Sequence, residues 1–313
     1  MKKVLKFIGV MLLAIIVIVV IVLFVLSKLA AYRNAHYYEN AAPAGEIEKK
    51  YTAMGPMKVD SFVYETEEDR LKKIEVWFPV DMKEGPIQYP LVIMANGTGI
   101  KASVYKEVFQ HLASWGFIVA GNEDENSWDG SSSSETLDYM LQNNEATDSI
   151  FYQHIDTKHI GIAGHSQGGV GAINAVTDQD NGNMYTTMWT ASTTFHDLSV
   201  LLQWPYDVSK VSIPYMMVAG TKSSDAGDGK DNAGIAPLSS LNENFEAISN
   251  SIPKVMAREK NMEHGDMLRY ADGYMTAWFM YYLKGYTAAG TAFFGENAEL
   301  PNNPNWQDVR VNE

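Results

Sequence analysis

The apolar and polar positions of the chain fall into three regimes. The first is an unbroken apolar run, Phe7 to Leu26, preceded by Lys2, Lys3 and Lys6. About twenty helical residues at roughly 1.5 Å each cover the hydrocarbon core of a bilayer, so the run predicts a membrane helix. The second regime, Leu29 to about Pro56, mixes alanine, charge and proline with no sustained period, and reads as a stalk with room for a helical piece. In the third, short apolar runs alternate with amphipathic ones. Asp60–Glu65 and Lys72–Val80 alternate with period two, which predicts two antiparallel strands with Ile74, Val76 and Phe78 on one face. Continuous runs at Tyr89–Ala95, Gly116–Gly121, His159–Ala163 and Ile213–Ala219 predict buried central strands, Tyr185–Ala191 reads as a further strand, and Lys254–Ala257 is strand-like. Helices are expected over Tyr105–Trp115, from the serines ahead of Glu135 to about Ile150, and over Met267–Lys284. The last has aromatics spaced for a core face, and Gly285 ends it. Strand–helix–strand order implies parallel strands with right-handed crossovers. The polar tail Pro301–Glu313 reads as loosely held.

The candidate chemistry lies in Thr157–Val176, TKHIGIAGHSQGGVGAINAV, a strand, a sharp turn and a helix of small residues. The turn reads Gly164-His165-Ser166-Gln167-Gly168. In a G-x-S-x-G turn the serine sits at strained dihedrals and projects from the top of the sheet, and a side chain at either glycine would meet neighbouring backbone. The Gln167 amide opens the helix, where N–H groups lack intrahelical partners and the dipole favours negative charge, making it a candidate oxyanion donor.

With this motif in its strand–turn–helix setting, the chain from about Tyr51 onward resembles the α/β-hydrolases, in the serine-nucleophile branch of cutinase-like, polyester-hydrolase-like and dienelactone-hydrolase-like esterases. The resemblance implies a mostly parallel central sheet with helices on both faces, and triad residues in the order serine, acid, histidine. Only His196 and His264 follow Ser166. His196 precedes the Ile213 strand after which the acid is expected, so His264 is the candidate base. The acid lies in TKSSDAGDGKDN, where the family's spacing favours Asp225 and leaves Asp228 and Asp231 as alternatives. The loop Asn96-Gly97-Thr98-Gly99 follows the Tyr89 strand, and by resemblance the Thr98 amide is the second oxyanion donor, although Asn96 stands where the family often has histidine. Trp128, in the polar loop Asn122–Ser134, and Phe195 and Trp204, in a segment read as either a short cap or a surface helix, are candidate pocket walls.

Charge and cysteine content narrow the function. Of 24 basic residues five lie in Met1–Arg33, where none of the 38 acidic residues falls, so the remainder carries −19 and repels nucleic acid. The chain has no cysteine, which removes disulfides and a thiol nucleophile. Neither H-E-x-x-H nor the calcium-loop spacing occurs, so no metal or cofactor is expected. The expected organisation is an anchor at 1–28 (membrane helix about 7–26), a linker at 29–56 and an α/β-hydrolase catalytic domain at 57–313. Three lysines ahead of the apolar run favour a cytoplasmic amino terminus and an extracytoplasmic domain. Cleavage after Leu29-Ala30-Ala31 would release the domain instead. The expected activity is carboxylic ester hydrolysis through an acyl-enzyme on Ser166, with a small-molecule or lipid-like ester as partner. Amide cleavage, acyl transfer or a catalytically silent binding protein on the same scaffold stay open.

Overall fold

A computed structural model describes residues 2–228 and 233–313, with side chains described from residue 15 onward, residue 30 excepted. The chain divides into two units, Met1–Ala41 and Ala42–Glu313. The first is the helix Lys2–Ala35 followed by the short helix Tyr37–Asn40. Its stretch Ile15–Ala35, with a mean hydropathy of 2.8, is long and apolar enough to cross a membrane.

The second unit is built on a sheet of nine strands among the described residues: β1 Val59–Glu65, β2 Lys73–Pro79, β3 Tyr89–Ala95, β4 Ile118–Asn122, β5 Ile155–His165, β6 Thr187–Ala191, β7 Tyr215–Gly220, β8 Lys254–Glu259 and β9 Trp306–Asn312. Their order is β1-β2-β4-β3-β5-β6-β7-β8-β9. The six strands from β4 to β8 are parallel, while β1, β2 and β9 run antiparallel to their neighbours. The central strands are the continuous apolar runs because both of their faces are covered; every residue of β3, β7 and β8 is buried. Strand β2 has one covered face and alternates, with Ile74, Val76 and Phe78 at most 1 % exposed. The aromatic helix Asp272–Lys284 buries Tyr274, Trp278 and Phe279, and Trp278 Nε1 donates to Thr187 Oγ1 of β6 at 2.8 Å.

The chain passes from β3 to β4 on one side and then crosses back to place β5 on the other side of β3. Such a reversal leaves a crevice at the carboxyl ends of the two strands it separates, here β3 and β5. The Thr98 loop and Ser166 leave from those two ends.

Two expectations need amending. The segment read as stalk contains the helix Glu46–Thr52, and its Tyr51 and Glu48 are buried, so the compact unit begins upstream of Pro56. The Glu48 carboxylate accepts from Ala44 N, Gly45 N, Asn303 Nδ2 and Trp306 Nε1, and Glu299 accepts from the Ile47 and Glu48 amides at 2.7 and 2.9 Å. A helix this short has too few apolar positions to announce itself by period; long-range capping by carboxylates holds it. The tail read as loose ends in β9, antiparallel to β8, with Asp308 accepting from Arg258 Nε at 2.9 Å. It is a half-exposed edge strand whose apolar residues are Trp306, Val309 and Val311, and an irregularity around Asp308, at φ 53°, interrupts the alternation that would mark it in sequence.

Candidate active site

Ser166 lies between β5 and the helix Gln167–Thr177, at φ 59° and ψ −122°. A Cβ on Gly164 would fall within 2.0 Å of the Gly168 carbonyl oxygen, and one on Gly168 within 2.2 Å of the Ala95 carbonyl oxygen. Strand and helix meet this closely only because both flanking residues are glycine. The strained serine is held by its neighbours: its amide donates to Ala191 O at 3.0 Å and its carbonyl accepts from Gly169 N at 2.9 Å.

Asp225 follows β7 on the short helix Ser223–Ala226 and is fully buried. Its Oδ1 accepts from His264 Nδ1 at 2.7 Å, while its Oδ2 accepts from Ser192 Oγ at 2.6 Å and from Gly220 N at 2.7 Å. A carboxylate this deep is tolerated because donors surround it. Asp228 is exposed three residues further on, and Asp231 lies outside the described residues. His264 sits in the loop after β8, with its side chain 16 % exposed. His196 is exposed, at the start of the helix His196–Leu201.

Residue His165 ties the loop carrying His264 to the elbow. It is buried at the end of β5, its Nε2 donates to the His264 carbonyl at 2.7 Å, and the two rings lie 4.6 Å apart. Burial, reinforced by the neighbouring His264 imidazole, lowers its pKa to about 4.

Thr98 and Gln167 carry the two candidate oxyanion amides, and neither N–H donates to a protein acceptor among the described residues. The loops around them are knitted by side chains. Gln167 Oε1 accepts from Ser127 N at 3.0 Å, Ser127 Oγ donates to Asn96 O at 2.6 Å, and Asn96 Nδ2 donates to Asn122 O and Asp124 O, each at 2.8 Å. Asn96-Gly97-Thr98 has the form of a glycosylation acceptor, but the Asn96 side chain is buried and its nitrogen engaged, which leaves no room for a glycan in the fold.

Trp128 and Trp204 are partly buried against the core. Asn174 Nδ2 donates to the carbonyls of Trp128 and Pro205, so both segments are tied to the nucleophile helix about two turns beyond Ser166. Phe195 is half-buried and its amide donates to Ile235 O at 2.9 Å. The helix after it turns apolar side chains outward, Leu201 being 79 % exposed. Sequence reasoning missed Ser192, which sits at φ 49° with its hydroxyl on Asp225; a serine just past a strand has no pattern that separates it from a turn residue. Among the described residues no group of acidic, histidine or cysteine side chains could hold a metal.

The mostly parallel sheet, with a serine elbow after β5, an aspartate after β7 and a histidine after β8, defines an α/β-hydrolase. A family model described as PET hydrolase-like matches residues 47–228, and the chain belongs to that family. The matched span takes in Ser166 and Asp225 and ends before His264. Among curated proteins, none matches the chain.

Proposed function

We propose that the protein is a serine esterase in which Ser166 is the nucleophile, His264 the base and Asp225 the orienting acid. A serine hydroxyl is a weak nucleophile near neutral pH and needs an imidazole to take its proton. His264 Nε2 performs that task, because its Nδ1–H is committed to Asp225 at 2.7 Å and leaves Nε2 as the basic nitrogen. The proton then passes to the leaving alcohol, and water repeats the cycle on the acyl-enzyme. The Thr98 and Gln167 amides stabilise the tetrahedral oxyanion, at about 3 kcal/mol for each donor in comparable sites.

The observation that carries this reading is the bond between His264 and a fully buried Asp225 on two loops at the same end of the sheet as the strained serine. The family description adds the ester linkage of a polyester as the chemistry to expect. Labelling by a fluorophosphonate, with loss of the label in Ser166→Ala, tests it; a wild-type protein that neither labels nor turns over nitrophenyl esters would refute it.

The apolar helix is proposed to stay on as a single-pass signal anchor, with the catalytic unit outside the cytoplasm, on the strength of Lys2, Lys3 and Lys6 ahead of it. Protection of that unit from added protease in intact cells would refute this topology.

A further inference from the structure

We propose, resting on the triad reading above, that His165 is a positioning residue which sets the main chain of the base. Among the described residues the His264 side chain makes one hydrogen bond, its Nδ1 on Asp225. Main-chain bonds secure the residues on either side of it: Asn261 N donates to Thr221 Oγ1, Lys222 N to Met262 O, and Asp266 N to Glu263 O. The His264 carbonyl itself is held by His165 Nε2 at 2.7 Å. A carbonyl can only accept, so Nε2 carries the hydrogen and Nδ1 of the neutral ring carries the lone pair. His165 is 8 % exposed, and its ring lies 4.6 Å from the His264 ring at a tilt of 43°.

The other side of His165 faces the oxyanion loop. A Cβ built on Gly97 would stand 3.6 Å from His165 Nδ1 and 3.4 Å from its carbonyl oxygen, so glycine there leaves the ring its space. One imidazole, adjacent in the chain to the nucleophile, thus holds the base loop through Nε2. Two catalytic elements, the elbow at the end of β5 and the loop after β8, are referenced to a single ring. A misplacement of about 1 Å in such a constellation costs on the order of 100-fold in rate, which is the reason a spacer of this kind matters.

Two variants separate the hydrogen bond from the packing. His165→Phe keeps a ring and loses the donor; His165→Gln places an Nε2–H near that of histidine. With nitrophenyl esters, His165→Phe is expected to lose about 10- to 100-fold in kcat with KM changed by less than about threefold, and His165→Gln to recover to within about fivefold of wild type. The downfield proton resonance of the His264–Asp225 bond should weaken or move in His165→Phe and return in His165→Gln. Equal kcat in wild type and His165→Phe would overturn the proposal, as would equal losses in both variants together with lowered melting temperatures, which would make His165 a packing residue only. Failure of the wild-type protein to take a fluorophosphonate at Ser166 would instead remove the triad reading, and this proposal with it.

Discussion

Replacing Asp225 by asparagine should silence the site without disturbing the fold, and the structure determines why. Asparagine matches aspartate in shape, so what matters is which end of the amide faces His264. Two donors, Ser192 Oγ at 2.6 Å and Gly220 N at 2.7 Å, converge on the Oδ2 position. An NH2 group there would oppose the Gly220 N–H, which can only donate, at a cost of about 1–3 kcal/mol, while the Ser192 hydroxyl could turn to accept. The amide oxygen therefore takes the Oδ2 position and Nδ2 takes the place of Oδ1, 2.7 Å from His264 Nδ1. Nδ2 donates, so Nδ1 must accept, and the imidazole hydrogen moves to Nε2. A base with its hydrogen on the nitrogen needed for the serine proton cannot act. In another serine hydrolase the same exchange lowers kcat about 10⁴-fold, or roughly 5 kcal/mol of barrier. The expectation for Asp225→Asn is a loss of that order in kcat on a nitrophenyl ester, KM within about threefold, and a melting temperature within a few degrees of wild type. Steady-state kinetics and a thermal melt on the same preparation suffice. Activity within about tenfold of wild type would refute the tautomer argument and with it the role given to Asp225.

Two further outcomes are expected. Glu259 is 6 % exposed, its Oε2 has no partner among the described residues, and burial together with Glu48 and Asp266 raises its pKa to about 8. A carboxyl with a raised folded-state pKa lends stability that is complete below its unfolded value and lost as pH rises through the folded one. Wild-type stability should therefore fall between about pH 4.5 and 8 by an amount on the order of 3–5 kcal/mol, and Glu259→Gln should flatten that slope in urea titrations run at several pH values. Gly168→Ala drives a methyl to within 2.2 Å of the Ala95 carbonyl oxygen, so a destabilisation of about 1–3 kcal/mol and loss of fluorophosphonate labelling are expected; a stable, fully reactive variant would mean that the elbow has slack.

How much of this was legible in the chain differs from element to element. The strand expected at Tyr89–Ala95 is β3 end to end, because a strand covered on both faces is apolar throughout and turn residues bound it. The helix expected to start in the serines ahead of Glu135 begins at Ser131, since serines favour helix entry, and it stops at Glu145, short of Ile150. Among the three aspartates after β7 spacing favours Asp225; the burial that sets it apart from Asp228 comes with Ser192 and Gly220 folding over it. Likewise His111 and Asp272 are far apart in the chain yet meet at 2.6 Å, both fully buried. Burial opposes the charged imidazole there, but Asp272 prevails and raises its pKa. Periodicity cannot reveal such pairs, because it reports which face is covered and not which polar group waits there.

The carboxylate clasp on the helix Glu46–Thr52 has a mechanical consequence. Glu299, Asn303 and Trp306 fasten that helix to the carboxyl-terminal end of the catalytic unit. A pull transmitted along the chain from residues ahead of Ala42 is met first by these latches, before it can reach β1 or the loops carrying Ser166 and His264. The segment ahead of Ala42 can thus be tugged, shortened or re-routed with little jolt to the reacting groups, whereas removing Glu299 to Glu313 would unlatch the leading end.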